Sequence, residues 1–569
     1  MGLPVPDRQE QLADTYTVTP FEALAGWLID AGVERIFGLM GDDTVRLVSS
    51  LIARGIPYED ARHENAAVSM AVGYASAVGR LGVCIISRGP GTTNGLTGMV
   101  NASRGDAAVL IITGDEWITA PSNTAQLPDA KALDIAALGA SCGIPVFTPR
   151  VAHTLRDSLC DAISCALAGR TVILTLPRDL LELPVNVTGP LVPREPRYVP
   201  SRGPAPGISA AAAVLENAQR PLIVAGAGAH AAGAKAALEA LAEHTGGALA
   251  TTLRGKNMFS GHPYNLDIVG SFSHSAGRRL IDQADSVVVF GASLNRYTTN
   301  AGTSLPDVPL IQVDADRSHL GRFHRVDISI VGDARLVAEQ LLDTLPQRSE
   351  AAKPWHTAET RQFLADFDLR DDFQVASTRW AMDPRSLVLE LDALLPTDRA
   401  VVTDNGNFFG FVPPHIRVPS PDRFKLSSDF AVIGLGFGTA IGAAIARPGV
   451  ATVLFIGDGA LLMSLGEVET LARMDIPLLV IVMNDSAFGA ERHFLELRGL
   501  SGKVAQFPDT DFGPIAEAMG VASATVRSLE DVRALAGTLG ALDRPFLIDC
   551  KVTSSVVAPF LAEQIPTTR

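Results

Sequence analysis

Strand-like apolar runs alternate with Ala/Leu-rich helical stretches along the whole chain. Few folds accept that pattern; it is the mark of helices layered on mainly parallel sheets. Two interruptions divide it, so we read three doubly wound α/β domains. The first, residues 15–183, carries "VERIFG", "LGVCIIS", "AAVLIIT" and "TVILTLP" as strands and "ENAAVSMAVGYASAVGR" as a helix. The second, 208–345, carries "RPLIVAGAG", "DSVVVFGA" and "VPLIQVDAD". The third, 383–556, carries "AVVTDNG", "VATVLFIGDG", "PLLVIVMND" and "PFLIDCKV". Between the first two lies "LPVNVTGPLVPREPRYVPSRGPAPG", whose prolines block regular structure and predict a linker. The polar "PQRSEAAKPWHTAETRQ" predicts a second.

Bulk chemistry excludes some functions. A net charge of −15 argues against nucleic acid as a partner. No apolar run reaches the roughly 20 residues of a membrane helix, and "MGLPVPDRQEQLADTYT" lacks the build of a signal peptide. Cys84, Cys142, Cys160, Cys165 and Cys550 follow no zinc spacing and read as buried free thiols of a reducing compartment. A cytoplasmic protein is expected.

The segment "VATVLFIGDGALLMSLGEVETLARMDIPLLVIVMNDSAFG" is a strand, a helix and a second strand. Such a crossover makes the strands parallel, so both following turns lie on one sheet edge, where α/β proteins bind ligands. Asp458 and Asp485 thus approach one another. Gly457 and Gly459 let backbone come close to a ligand, and Ala460 begins a helix whose N–H groups and dipole attract phosphate. Carboxylates hold a hard cation; together these features suit a metal-bridged diphosphate. A bare βα turn with a capping Asp is the competing reading of "GDG" alone.

"GDG" followed at this spacing by "ND" resembles the signature of thiamine diphosphate enzymes, in the group that holds acetohydroxyacid synthase, pyruvate decarboxylase, benzoylformate decarboxylase and benzaldehyde lyase. The resemblance covers nearly the whole chain and implies a pyrimidine-binding, a central and a diphosphate-binding domain. It implies Mg²⁺ held by Asp458, Asp485 and the carbonyl of Ala487, with Phe488 and Gly489 completing the turn. Asp485 departs from the family's usual Asn, and Asn484 is the substitute ligand. "DARHENAAVSMAVGYA" places Glu64 on the glutamate that hydrogen-bonds the cofactor's aminopyrimidine and promotes its activation. A raised carboxyl pKa in a partly apolar site suits that role. "SRGPGTTNG" places Gly89 in the turn lining the cofactor, "VIGLGFG" places Leu435 as the apolar wedge between the cofactor rings, and "TDNGNFFG" places Asn407 beside the diphosphate. The family also implies a homodimer, with Glu64 and Asp458 of one centre contributed by different subunits, and by extension a homotetramer.

Reaction type is divided. "FGLMGDD" places Asp42, and "NDSAFGAE" places Glu491, on catalytic acids of pyruvate decarboxylase, but the adjacent His pair of that enzyme is missing. "PSNTAQLPD" has Ser122 and Asn123 there, and places Gln126 on a glutamine shared by benzaldehyde lyase and acetohydroxyacid synthase. We therefore expect a carboligase that decarboxylates a 2-oxo acid and joins the remainder to an aldehyde or 2-oxo acid acceptor. A decarboxylase releasing aldehyde and a benzaldehyde lyase-like 2-hydroxy ketone lyase are the alternatives. Glu491 paired with Arg492 on a surface, and structural rather than catalytic roles for His63 and His493, are the plainer readings. The resemblance leaves room for a flavin (FAD) in the central domain, which the lone turn "AGAGAHAAGA" does not support. That turn fits a dinucleotide-binding dehydrogenase poorly.

Overall fold

The computed structural model describes residues 16–118, 129–193, 199–346 and 354–562. The chain divides into two compact units: residues 1–197 with 428–448 and 464–470, and residues 198–427 with 449–463 and 471–569.

The first unit is built on a six-stranded parallel sheet. Its strands lie in the order Tyr58–Asp60, Ile36–Leu39, Gly82–Ile86, Val109–Asp115, Thr171–Pro177, Val146–Phe147. The central strands are buried throughout Gly82–Ile86, as expected for a sheet covered on both faces. Order reverses between Ile36–Leu39 and Gly82–Ile86, which fixes the switch point of this sheet. Helix Glu64–Val78 is almost wholly small and apolar, and Gly79 ends it in the left-handed conformation. Helix Gly436–Ala446 packs on it with backbone nearly touching backbone. A Cβ on Gly442 would stand 1.9 Å from the Met70 carbonyl oxygen, and one on Gly73 would stand 2.0 Å from that of Thr439.

The second unit holds two further six-stranded parallel sheets. One centres on Pro221–Ala225 and Ser286–Phe290. There Gly226 and Gly228 abut Gly291 so closely that any Cβ would collide, so the Gly-rich turn serves packing. The other runs in the order Phe424–Leu426, Arg399–Thr403, Ala451–Gly457, Leu478–Asn484, Phe546–Lys551, Ala522–Val526.

The expected strands are present, with differences in the connections. The Pro-rich stretch is not irregular throughout: Val185–Val187 pairs antiparallel with Tyr16–Val18, and a helix starts at Ala205. Prolines 184 and 190 flank that strand rather than interrupt it, and a two-stranded ribbon tolerates them. The second expected linker includes buried Trp355 and the start of helix Ala358–Asp366. The single helix expected after "GDG" is two, Asp458–Met463 and Glu467–Met474, separated at a Ser-Leu-Gly step. All five cysteines are free, but only Cys84 and Cys550 are buried; Cys142, Cys160 and Cys165 are half-buried. Among the described residues no helix is long and apolar enough to cross a membrane.

Candidate active site

In the first unit the chemistry gathers at the carboxyl edge of the sheet. His63 takes extended backbone and its Nδ1 accepts the Asn65 N–H at 3.1 Å, so it caps the helix that Glu64 begins. Glu64 is buried, and Asn94 Nδ2 donates to its Oε2 at 3.1 Å. Gly89 adopts φ +65° and leads helix Pro90–Arg104. At Gly91, a Cβ would stand 3.1 Å from Glu64 Oε1 and 2.5 Å from Ser87 Oγ, so the Gly-Pro-Gly turn lies directly against the carboxyl group.

Sequence reasoning missed the residue that fixes the approach to Glu64. Glu467 is buried, accepts the Arg62 N–H at 2.9 Å and the Thr470 hydroxyl at 2.8 Å, and also faces the His63 N–H. Burial pushes its carboxyl up, against these donors. Its only sequence signal was an acidic residue opening a helix after Gly466. Leu435 is buried and precedes helix Gly436–Ala446. Gly438, three residues on, abuts Ala66, two after Glu64, so both residues stand at the same end of the helix contact.

The adjacent acids Asp42 and Asp43 divide their roles. The Asp42 side chain is 60% exposed and bonded to Lys131, which holds its carboxyl below the usual range. Asp43 turns inward: its Oδ2 accepts the Arg88 N–H at 2.9 Å, and its Oδ1 is buried without a partner among the described residues. Gln126, with Ser122 and Asn123, lies outside the described residues.

In the second unit Ala451–Gly457 and Leu478–Asn484 are adjacent and parallel, with Gly457 opposite Met483. Their following turns converge as the crossover requires. Asp458 is buried; its Oδ1 accepts the Gly459 N–H at 2.8 Å, and among the described residues its Oδ2 has no hydrogen-bond partner. Burial pushes its carboxyl well up, against the N–H groups of Gly459, Ser486 and Ala487. Asp485 is likewise pushed up, by burial and then by the charge of Asp458. Two carboxylates in one dry site repel, and a divalent cation removes the conflict.

The turn is rigid. Ser486 has φ +55°, the Phe488 N–H donates to the Ala505 carbonyl at 2.9 Å, and the Phe507 N–H donates to the Ser486 carbonyl at 3.1 Å. Ala487 is left between these bonds, and among the described residues no donor reaches its carbonyl. A Cβ on Gly489 would stand 2.5 Å from Asp485 Oδ2, and one on Gly459 would stand 2.6 Å from the Phe488 ring. Carboxylate, carboxylate and carbonyl are hard oxygen donors, as Mg²⁺ requires. Among the described residues no third acidic, His or Cys side chain joins them, which leaves positions for phosphate and water.

Asn484 is committed elsewhere. Its Nδ2 donates to Asp549 Oδ1 and to the Thr510 carbonyl, both at 2.9 Å, and its Oδ1 faces the Ser486 N–H. Asp549 in turn meets Lys551 at 3.0 Å and the Phe512 N–H at 2.9 Å. Asn407 likewise uses both polar atoms on the backbone of Val556 and Ala558. Glu491 is exposed in the first turn of helix Gly489–Glu496, and Arg492 pairs with Glu496 at 2.8 Å rather than with Glu491. His493 is buried, and burial holds its ring below the ordinary range.

These features define an α/β enzyme with one sheet edge shaped around a buried glutamate and another around a buried carboxylate pair. The chain is a member of the thiamine pyrophosphate enzymes. Residues 18–133 match the N-terminal TPP binding domain of that family, 208–341 its central domain, and 404–550 its C-terminal TPP binding domain. It is a thiamine diphosphate-dependent enzyme of carbon–carbon bond chemistry. A probable acetolactate synthase large subunit of Methanocaldococcus jannaschii is 27% identical, over 95% of this chain and 93% of that protein. The acetolactate synthase isozyme 2 large subunit of Escherichia coli K12 is 26% identical, over 93% and 95%. Sulfoacetaldehyde acetyltransferase of Castellaniella defragrans is 28% identical, over 92% and 91%.

Proposed function

We infer that this chain is a Mg²⁺- and thiamine diphosphate-dependent carboligase, which decarboxylates a 2-oxo acid and transfers the remaining acyl unit to an aldehyde or 2-oxo acid acceptor. When bound, thiamine diphosphate supplies the electron sink that makes the donor's carbonyl carbon nucleophilic. Asp458, Asp485 and the Ala487 carbonyl hold the metal. Glu64, kept in place by Asn94 and the Glu467-anchored loop, is the carboxyl group facing the pyrimidine. Leu435 is the apolar wedge.

The observation favouring transfer over aldehyde release is the state of Asp42. Releasing an aldehyde requires a proton delivered to the nascent carbanion by a group poised near neutrality. Asp42 is exposed, bonded to Lys131 and held below the usual carboxylate range, so it stays ionised. The names of the relatives agree, since both acetolactate synthase and an acetyltransferase move an acyl unit. A homodimer or homotetramer and cytoplasmic residence belong to the same reading, the latter supported by five free cysteines.

The test is NMR product analysis of protein supplied with thiamine diphosphate, Mg²⁺ and a panel of 2-oxo acids, each alone and with an acceptor. Accumulation of a 2-hydroxy ketone is expected. Free aldehyde as the main product, with acceptor present, would contradict the reading.

A further inference from the structure

Arg88 has no place in the scheme above. It follows strand Gly82–Ile86 at the switch point of the first sheet and immediately precedes the Gly-Pro-Gly turn that backs Glu64. Its side chain is 4% exposed, although guanidinium groups are rarely buried without full pairing. The pairing here is incomplete. Nη2 donates to Asp129 Oδ1 at 2.9 Å, while Nη1 lies 2.7 Å from Asp129 Oδ2 but is misaligned, and among the described residues the buried Nε has no partner. Asp129 is the more exposed side of the pair, at 29%; its Oδ1 also accepts the Lys131 N–H at 3.0 Å, and the Lys131 side chain pairs with the exposed Asp42. A buried cation held by one partly exposed carboxylate can take another anion in that carboxylate's place. Arginine offers two parallel donors to a planar carboxylate or to a sulfonate.

The chemistry says which anion. The donor's carboxylate leaves as CO₂, its bonding electrons staying behind, so its charge is gone as the bond breaks. A cation fixed against it stabilises the ground state more than the transition state and slows the step. An anionic group on the acceptor keeps its charge throughout, and holding it positions the acceptor carbonyl without that penalty. We propose that Arg88 is a specificity-determining residue that binds the anionic group of the acceptor, with Asp129 as its counter-ion in the empty enzyme. This rests on the carboligase reading.

The test is a competition in one tube. The donor is the 2-oxo acid that the wild-type holoenzyme consumes fastest, and 2-oxobutanoate and propanal compete as an anionic and a neutral acceptor of similar size. The readout is the ratio of the two adducts. Wild type should favour the 2-oxobutanoate adduct, Arg88→Gln should lower the ratio about 10–100-fold, and Arg88→Lys should restore part of it. Asp129→Asn, which removes the competing carboxylate, should raise the ratio and lower the KM for 2-oxobutanoate. An unchanged ratio in Arg88→Gln, or an unchanged or lowered ratio in Asp129→Asn, overturns the role of Arg88 while leaving the carboligase reading intact. Aldehyde release by wild type with neither adduct formed overturns the carboligase reading and the acceptor assignment with it.

Discussion

Asn94 donates to Glu64 Oε2 at 3.1 Å, while the space beside Oε1 is kept open by the absence of a side chain at Gly91. One oxygen is anchored and the other faces a glycine turn, an arrangement suited to a carboxyl group that hydrogen-bonds a ligand. Glu64→Gln keeps the shape and removes the acid. Turnover should fall by about 10²–10⁴-fold with cofactor affinity within a few-fold of wild type. Steady-state rates together with a cofactor titration check this; unaltered turnover would remove Glu64 from the chemistry.

Lys551 is buried with its Nζ 3.0 Å from Asp549 Oδ2, 2.7 Å from the Thr510 carbonyl and 2.5 Å from Asp509. Through Asp549 it braces Asn484, the residue before Asp485. Lys551→Met leaves a buried carboxylate without its cation, so it should cost about 3–5 kcal/mol in urea unfolding. A loss under 1 kcal/mol would show that the network carries little.

The contact of helices Glu64–Val78 and Gly436–Ala446 has no room for a methyl group at Gly442. Gly442→Ala should destabilise by about 1–3 kcal/mol, although alanine is the better helix former. Gly26→Ala meets nothing within 4 Å and is the control. Thermal melts that rise for both variants would contradict the packing described here.

His415 is buried, its Nδ1 2.7 Å from the Phe411 carbonyl oxygen, and burial lowers its pKa to about 4. The unfolded ring titrates near 6.5, so between about pH 6.5 and pH 4 the unfolded chain binds the extra proton. Stability should therefore fall as pH drops through that window and should be insensitive to this residue above it. The full effect is about 3 kcal/mol. His415→Gln should flatten this part of the stability profile; an unchanged slope would show that the ring is already free to charge.

Much of this was legible in the residues. The strands around Val83–Ile86, Val109–Ile112, Val453–Ile456 and Leu478–Val482 announce themselves as buried apolar runs, and parallel crossover then brings Asp458 and Asp485 to one edge. What was hidden depends on distance along the chain. Nothing near Glu467 says that it holds the Arg62 backbone some 400 positions away. Nothing in "GDD" says that Asp43 turns inward while Asp42 meets Lys131, because that choice is made by Gly114 on one strand and by the Arg88 N–H just beyond another. Asn484 and Asn407 looked like ligand contacts by position, yet their side chains are bonded to Asp549 and to the backbone of Val556 and Ala558.

The most direct measurement is calorimetric titration of thiamine diphosphate into metal-free protein, with and without Mg²⁺, for wild type and for Asp458→Ala. Asp458 Oδ2, unpartnered among the described residues, and the clash of its charge with Asp485 call for a cation. Tight binding should therefore require Mg²⁺ in wild type and should be lost in the variant. Equal affinity with and without Mg²⁺, or normal Mg²⁺-dependent binding to Asp458→Ala, would contradict the assignment of this carboxylate pair as the metal site.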